Sequence, residues 1–247
     1  MLRKVGLVAL VVVCGAAVVG FQSTRHQAGL GNPRVFVPAP TVYEKLGGSF
    51  TVPVADAYWL YTIQYYGEHV NADHRLDSLP ALLNLVTGLS PHFKQAYFFG
   101  AFALLDAGRA DLGYHLLLRG YAANPRDWHF PFYLGFFVYT FGKGAQKDQI
   151  AAEYYAQAAK LPGHLPSVPR LAADLYQKGH DREKAIMMWA QVYGQGDKYS
   201  REKAVAALDQ LLPRDKTARM KAVAALRDLM TPAEFNDFIA DIFKGYY

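Results

Sequence analysis

PHFKQAYFFGAFALLDAGRADLGYHLLLRGYAANP, residues 91–125, decides the fold. It opens on Pro91 and closes on Pro125, and each proline follows an apolar run, one ending in Leu89-Ser90 and the other in Ala123-Asn124. The two stops lie 34 residues apart. Apolar side chains recur at helical spacing on both sides of Gly108, so the stretch reads as two helices joined by a tight turn. Gly100, Ala101, Gly113 and Gly120 supply the small side chains that two helices of a hairpin need where they touch closely.

Working outward, a similar unit begins at Trp128, carries Leu134-Gly135 on its first helix and turns at Gly142. Its second helix, AAEYYAQAAKLP, places Ala151, Tyr155 and Ala158 in a small, aromatic, small rhythm before Pro162, after an insertion of about four residues between Gly142 and Gln149. Arg170 to Tyr193 forms a further unit, with Leu171-Ala172, the turn Lys178-Gly179-His180-Asp181 (read with one additional residue), then Ala185 and Trp189. Asp56 to Pro91 is a degenerate earlier unit, whose aromatic first helix YWLYTIQYYG leads into a long turn from Glu68 to Leu79. No β-rich run bounded by turn signals interrupts this pattern, and the body is expected to be all-α. Arg201 to Leu212, Lys216 to Met230 and Thr231 to Phe243 are expected as closing helices, the last opened by the capping box Thr231-Pro232-Ala233-Glu234.

A 34-residue period with these small and aromatic positions resembles the tetratricopeptide repeat. Trp59-Leu60-Tyr61, Tyr65-Tyr66-Gly67 and Leu134-Gly135-Phe136-Phe137 are similar to helices of bacterial membrane-anchored members of that family. The resemblance covers residues 55–195 and implies a right-handed solenoid of about four helical hairpins, with residues 196–247 as capping helices. It also implies a groove lined by the first helix of each hairpin. Projected onto this chain, the groove places are Phe98, Phe102 and Asp106, then Phe132, Phe136 and Tyr139, then Tyr176 and Gln177, with Trp59, Tyr65 and Tyr66 extending the strip. So aromatic a lining suits an apolar helix or an extended protein segment, because ring burial gains more there than charge pairing. Two other readings stay open: the rings pack between neighbouring hairpins, or the chain's own segment 34–54 or closing helices cover them.

Residues that carry chemistry are sparse. None of the eight histidines pairs with another at the spacing that puts two imidazoles on one helical face, and no metal or cofactor is expected. Asp73 and Asp77, beside Asn71 and His74, crowd the long first turn and offer either a weak cation site or turn caps. Asp174, Glu183 and Glu153 would be the acid and base of an all-α hydrolase, against which stands their reading as solvated faces of repeat helices. Neither a nucleophile elbow nor a phosphate-binding glycine loop occurs, so no small-molecule substrate is expected.

The chain has 247 residues, 52% hydrophobic and 19% charged, which excludes a disordered tail and a coiled-coil rod. A single cysteine, Cys14, excludes an internal disulfide framework and a Cys-rich zinc module. Positive charges are spread along the chain, and the net +5 gives no case for nucleic acid. The basic excess between Lys198 and Arg227 reads as a solvated face or a weak contact with anionic headgroups.

Ahead of the repeats, Val5 to Phe21 holds no charged residue and follows Arg3 and Lys4. At about 1.5 Å per residue it spans roughly 25 Å, slightly under the hydrocarbon layer. Residues 1–21 are therefore expected as a single-pass anchor, with a cleaved signal or a lipid-modified Cys14 as alternatives. Residues 22–54, rich in Gly and Pro, read as a tether that includes the extended strip RVFVPAP, residues 34–40. Arg3 and Lys4 favour a cytoplasmic amino terminus, which puts the body outside the cytoplasm, in the periplasm of a Gram-negative cell. The expected function is that of a membrane-anchored adaptor for envelope assembly. A structural subunit of a larger complex and a carboxylate-dependent hydrolase are the alternatives.

Overall fold

The fold comes from a computed structural model that describes Thr51–Lys244. The expected anchor, the strip at 34–40 and nearly all of the tether lie outside the described residues. No helix among the described residues is long and apolar enough to cross a membrane.

Helices run in chain order as α1 (Thr51–Val70), α2 (Leu79–Leu89), α3 (Lys94–Asp106), α4 (Ala110–Ala123), α5 (His129–Phe141) and α6 (Lys147–Ala159). They continue as α7 (Val168–Lys178), α8 (Arg182–Gln195), α9 (Lys198–Leu211), α10 (Lys216–Ala224) and α11 (Pro232–Ile242). There is no strand among the described residues. Consecutive helices pack on one another, an arrangement compatible with a helical-repeat solenoid.

Local chemistry sets the boundaries. Pro80, Pro169 and Pro232 sit in the first turns of α2, α7 and α11, where a missing N–H costs nothing. Asp181, Asp197 and Asp215 each accept a backbone N–H at the start of α8, α9 and α10. At α11 the expected capping box forms: Glu234 N donates to Thr231 Oγ1, and Thr231 N donates to Glu234 Oε2. Helices α2 and α4 stop alike, at Ser90 (φ −134°) and Asn124 (φ −131°), just before Pro91 and Pro125.

Small residues set how closely helices approach within the α3–α4 hairpin and against its neighbours. A Cβ on Gly120 would enter the space of the Phe130 ring and lie 2.8 Å from Tyr97. One on Gly113 would lie 2.7 Å from the Ala101 carbonyl oxygen, and one on Gly100 would lie 2.6 Å from Leu83. Around these contacts Leu82, Leu83, Val86, Leu116, Leu117, Phe130 and Leu134 are buried. A second apolar cluster fills the carboxyl half, from Ala151 and Tyr155 through Ala172, Trp189 and Tyr193 to Leu208, Phe238 and Phe243.

Polar contacts then join each hairpin to the next. Asn124 Nδ2 donates to the Pro91 carbonyl at 3.2 Å, Lys94 Nζ to Asp127 at 2.7 Å, and Arg119 to Asn84 at 2.6 Å. Farther on, Tyr121 donates to Gln157 and Lys184 to Glu153. These contacts and the ring contacts described below define two layers, with α1, α3, α5, α7 and α9 in one and α2, α4, α6 and α8 in the other.

Several expected boundaries move. Helix α1 already includes Thr51 and Pro53, inside the expected tether. The turn after α5 runs only from Gly142 to Gln146. The stretch expected as one helix from Lys216 to Met230 breaks after Ala224 into a short 3-10 turn, Arg227–Leu229, which packs against α8 where Gly194 approaches Met230. The turn at Gly179-His180 has no additional residue. It repeats the turn at Gly108: Gly108 (φ 72°) and His180 (φ 59°) hold the same left-handed position, each followed by an N–H bonded to the carbonyl five residues back, Arg109 to Leu104 and Asp181 to Tyr176.

Arg219 is buried and gathers the closing helices. Its guanidinium donates to the carbonyls of Pro213, Asp209 and Ile242 and pairs with the Asp209 carboxylate at 2.9 Å. Two stability outcomes are expected in urea unfolding. His180→Gly raises stability by about 0.5–1 kcal/mol, because glycine takes a positive φ without strain. Gly120→Ala lowers it by about 1–3 kcal/mol through overpacking against Phe130 and Tyr97. Equal stability of either variant and the parent contradicts the assignment at that position.

Candidate functional site

Helices α1, α3, α5, α7 and α9 lie side by side and share a face rich in aromatic rings. Trp59 and Tyr66 of α1 meet Phe99 of α3 edge-on at 5.3 Å, and Tyr66 also donates to Asp106 at 3.2 Å. Both burial and the Asp106 carboxylate push the Tyr66 phenol above its ordinary value. Phe98 and Phe102 of α3 each lie 5.3 Å from Tyr133 of α5, and Phe102 reaches Phe136 at 6.1 Å. Phe132 turns toward Trp128 and Tyr155 within its own unit. Phe102 remains 36% exposed and Tyr139 40%, while Trp59, Phe98, Phe132 and Phe136 are half-buried. The rings therefore do two things at once: they pack neighbouring hairpins together and leave their outer edges on a common surface.

Among the projected residues, Trp59, Tyr66, Phe98, Phe102, Asp106 and Phe136 come together on this face, and Tyr139 joins them at the end of α5. Tyr176 does not. It is 4% exposed, packed in the carboxyl-half core with Lys184 over its ring, and burial raises its phenol pKa. Gln177 is half-buried and accepts the Trp189 indole N–H at 3.2 Å. Tyr65 is buried as well, donating to the Arg75 carbonyl at 2.7 Å.

The turn register explains the displaced pair. Counting back from the left-handed residue, Gly108 or His180, places Arg170, Asp174 and Lys178 where α3 has Phe98, Phe102 and Asp106. Tyr176 falls where α3 buries Leu104. The α7 part of the face is therefore charged. Lys178 and Lys147 lie over the Tyr139 ring, both at 5.7 Å, and Arg170 and Lys203 lie over Tyr199 of α9 at 6.0 and 5.7 Å. Tyr199, Arg170, Lys178, Phe99 and Tyr133 were not singled out from sequence. The 34-residue step from Phe99 to Tyr133 was available to find two of them.

The acidic candidates separate. Asp174 belongs to the odd-helix face, where burial raises its pKa against the opposing pull of Arg170, Lys178 and Lys203. Glu153 pairs with Lys184 at 3.1 Å on the other layer, and Asp181 joins the same ammonium at 3.3 Å. Glu183 is exposed in the first turn of α8. No acid–base pair results from these three. Asp73 acts as a turn cap: its Oδ1 lies 2.7 Å from His69 Nδ1 and accepts the Arg75 N–H, which holds its pKa below the usual carboxylate value. Among the described residues no three potential ligands are grouped to hold a metal. A cavity of about 870 Å³ opens between α9 and α11 and mixes Lys198, Arg201 and Lys244 with Asp209, Asp237 and Asp241.

No protein-family model matches the chain, and no curated protein sequence matches it.

Asp127 links two hairpins by accepting from Lys94 while its other oxygen lies 2.7 Å from His129 Nδ1. Burial would raise its carboxyl pKa, but the bonds from Lys94 and His129 outweigh that effect and hold it below the usual value. Its folded pKa is thus depressed, so its stabilisation is present above the unfolded value near 3.9 and fades as pH falls through the folded one. Asp127→Asn is expected to cost about 1 kcal/mol at pH 7 and progressively less below about pH 4 in urea unfolding followed across pH. An equal loss at both ends of that range contradicts this role.

Proposed function

We propose that this chain is a membrane-anchored docking adaptor of the tetratricopeptide kind. Its odd-helix face is the concave groove of a right-handed solenoid and receives an apolar helix or extended segment of a partner protein. The observation that carries this reading is the strip of half-buried rings Trp59, Phe98, Phe102 and Phe136, held by cross-hairpin packing, with the more exposed Tyr139 beside them at the end of α5. Rings already ordered in this way lose little side-chain freedom when a partner covers them, and apolar area is then buried at small entropic cost.

The run Val5 to Phe21 supplies the anchor in this reading, and residues 22–50 the reach of the tether. Confinement to a bilayer raises the local concentration of the groove toward other envelope proteins, so modest contacts suffice for recruitment. The domain works outside the cytoplasm and performs no covalent chemistry.

Crosslinked pull-down from membranes tests this directly. Phe102→Ser combined with Tyr139→Ser is expected to reduce the captured partner at least about tenfold, the effect of losing roughly 1.4 kcal/mol of contact, and also to lower the thermal midpoint through the packing Phe102 loses against Tyr133 and Phe136. Tyr139→Ser alone, at a helix end, gives an intermediate loss without touching the packed rings. Unchanged capture by both variants contradicts the proposal.

A further inference from the structure

The face changes character along the chain. From α1 to α5 it presents rings; from the end of α5 to α9 it presents cations. Arg170, Asp174 and Lys178 fall one turn apart on α7, and Lys203 of α9 joins them. Lys147 adds a further positive charge beside Tyr139, its Nζ donating to that residue's carbonyl. Three cations, Arg170, Lys178 and Lys203, thus act on the Asp174 carboxylate, with Lys147 apart from them at Tyr139 and Asp197 a second carboxylate near Arg170. Among the described residues Arg170, Lys178, Lys203 and Asp174 form no ion pair, in contrast to Lys94 and Lys184, which are paired to carboxylates.

Each cation is nevertheless held in place. Lys178 lies over Tyr139, and Arg170 and Lys203 lie on Tyr199, which is 57% exposed. Ring contact fixes the cation without neutralising it, so its hydrogen-bond donors stay available to an incoming anion. Spacing along α7 and across to α9 suits several carboxylates on one extended or helical segment better than a single compact anion. Asp174 sits among them and lowers the local potential, which limits attraction for stray anions.

We propose that the partner segment is bipartite: an apolar part rests on Phe98, Phe102 and Phe136, and a run of Asp or Glu side chains engages Arg170, Lys178 and Lys203. This inference rests on the docking reading above and gives its partner a chemistry. Charge complementarity at such a rim sets orientation and speeds encounter more than it adds affinity, so the acidic run would fix which way the segment lies.

Fluorescence anisotropy on the full chain in nanodiscs tests it with three labelled peptides that share a Leu/Phe-rich half and differ in a following run of four Glu, four Gln or four Lys. The Glu peptide is expected to bind about tenfold more tightly than the Gln peptide at low salt, with the gap closing as salt is raised. Replacing Arg170, Lys178 and Lys203 together by Gln removes the preference and leaves Gln-peptide affinity unchanged. Asp174→Asn widens the preference, a gain that misfolding does not produce. Equal binding of Glu and Gln peptides, both weakened by Phe102→Ser, overturns the acidic-run inference and leaves the docking reading standing. Absence of binding by all three peptides overturns both. Binding of phosphatidylglycerol vesicles, lost in the triple variant, without any preference for the Glu peptide also overturns it and assigns the cations to a lipid surface.

Discussion

Close approach of helices at the glycines of the α3–α4 hairpin is the constraint on which the remaining structure depends. At Gly100, Gly113 and Gly120 a single added methyl group would meet a neighbouring side chain or carbonyl, so the helix axes are held nearer than larger residues permit. That nearness buries Leu116, Leu117 and Phe130 and aligns the turns. Aligned turns in turn bring Asn124 to Pro91 and Asp127 to Lys94, and these contacts set one hairpin beside the next. The shared face of the odd helices is a consequence of the stacking.

Stacking explains why the same rings serve stability and surface. Tyr133, one period after Phe99, packs against both Phe98 and Phe102, and Phe136, one period after Phe102, meets Phe102 as well. Each ring is supported on one side and open on the other. Where the period delivers Arg170, Asp174 and Lys178 instead, Tyr139 and Tyr199 still supply ring contacts, now to cations. Recognition chemistry therefore varies along a scaffold whose packing does not.

Legibility in the sequence followed the same logic. Two proline stops and the small residues between them revealed the hairpin, because both report on backbone geometry that few residue types satisfy. Part of the aromatic half of the face was legible for the same reason, through the step that carries Phe102 to Phe136, whereas Phe132, one step after Phe98, turns into its own unit. At α7 the register slipped. The turn after it was read with one additional residue, whereas His180 takes the left-handed position ordinarily held by glycine and Gly179 ends the helix. One residue type in an unaccustomed place sent the projection to Tyr176, a core side chain. Nor did sequence spacing reveal Arg219: its partners are mostly carbonyls, which every residue carries. That α1 reaches back to Thr51 was hidden by Pro53, which reads as a breaker.

Native-state thiol labelling tests the shared face most directly, with single cysteines placed at 102, 174 and 176 in a Cys14→Ser background. Cysteines at 102 and 174 are expected to react with a maleimide at rates near that of an unfolded peptide, and one at 176 only as fast as the domain opens. A reactive 176 beside a protected 174 would put the opposite side of α7 on the surface, and the face shared by the odd-numbered helices would not exist.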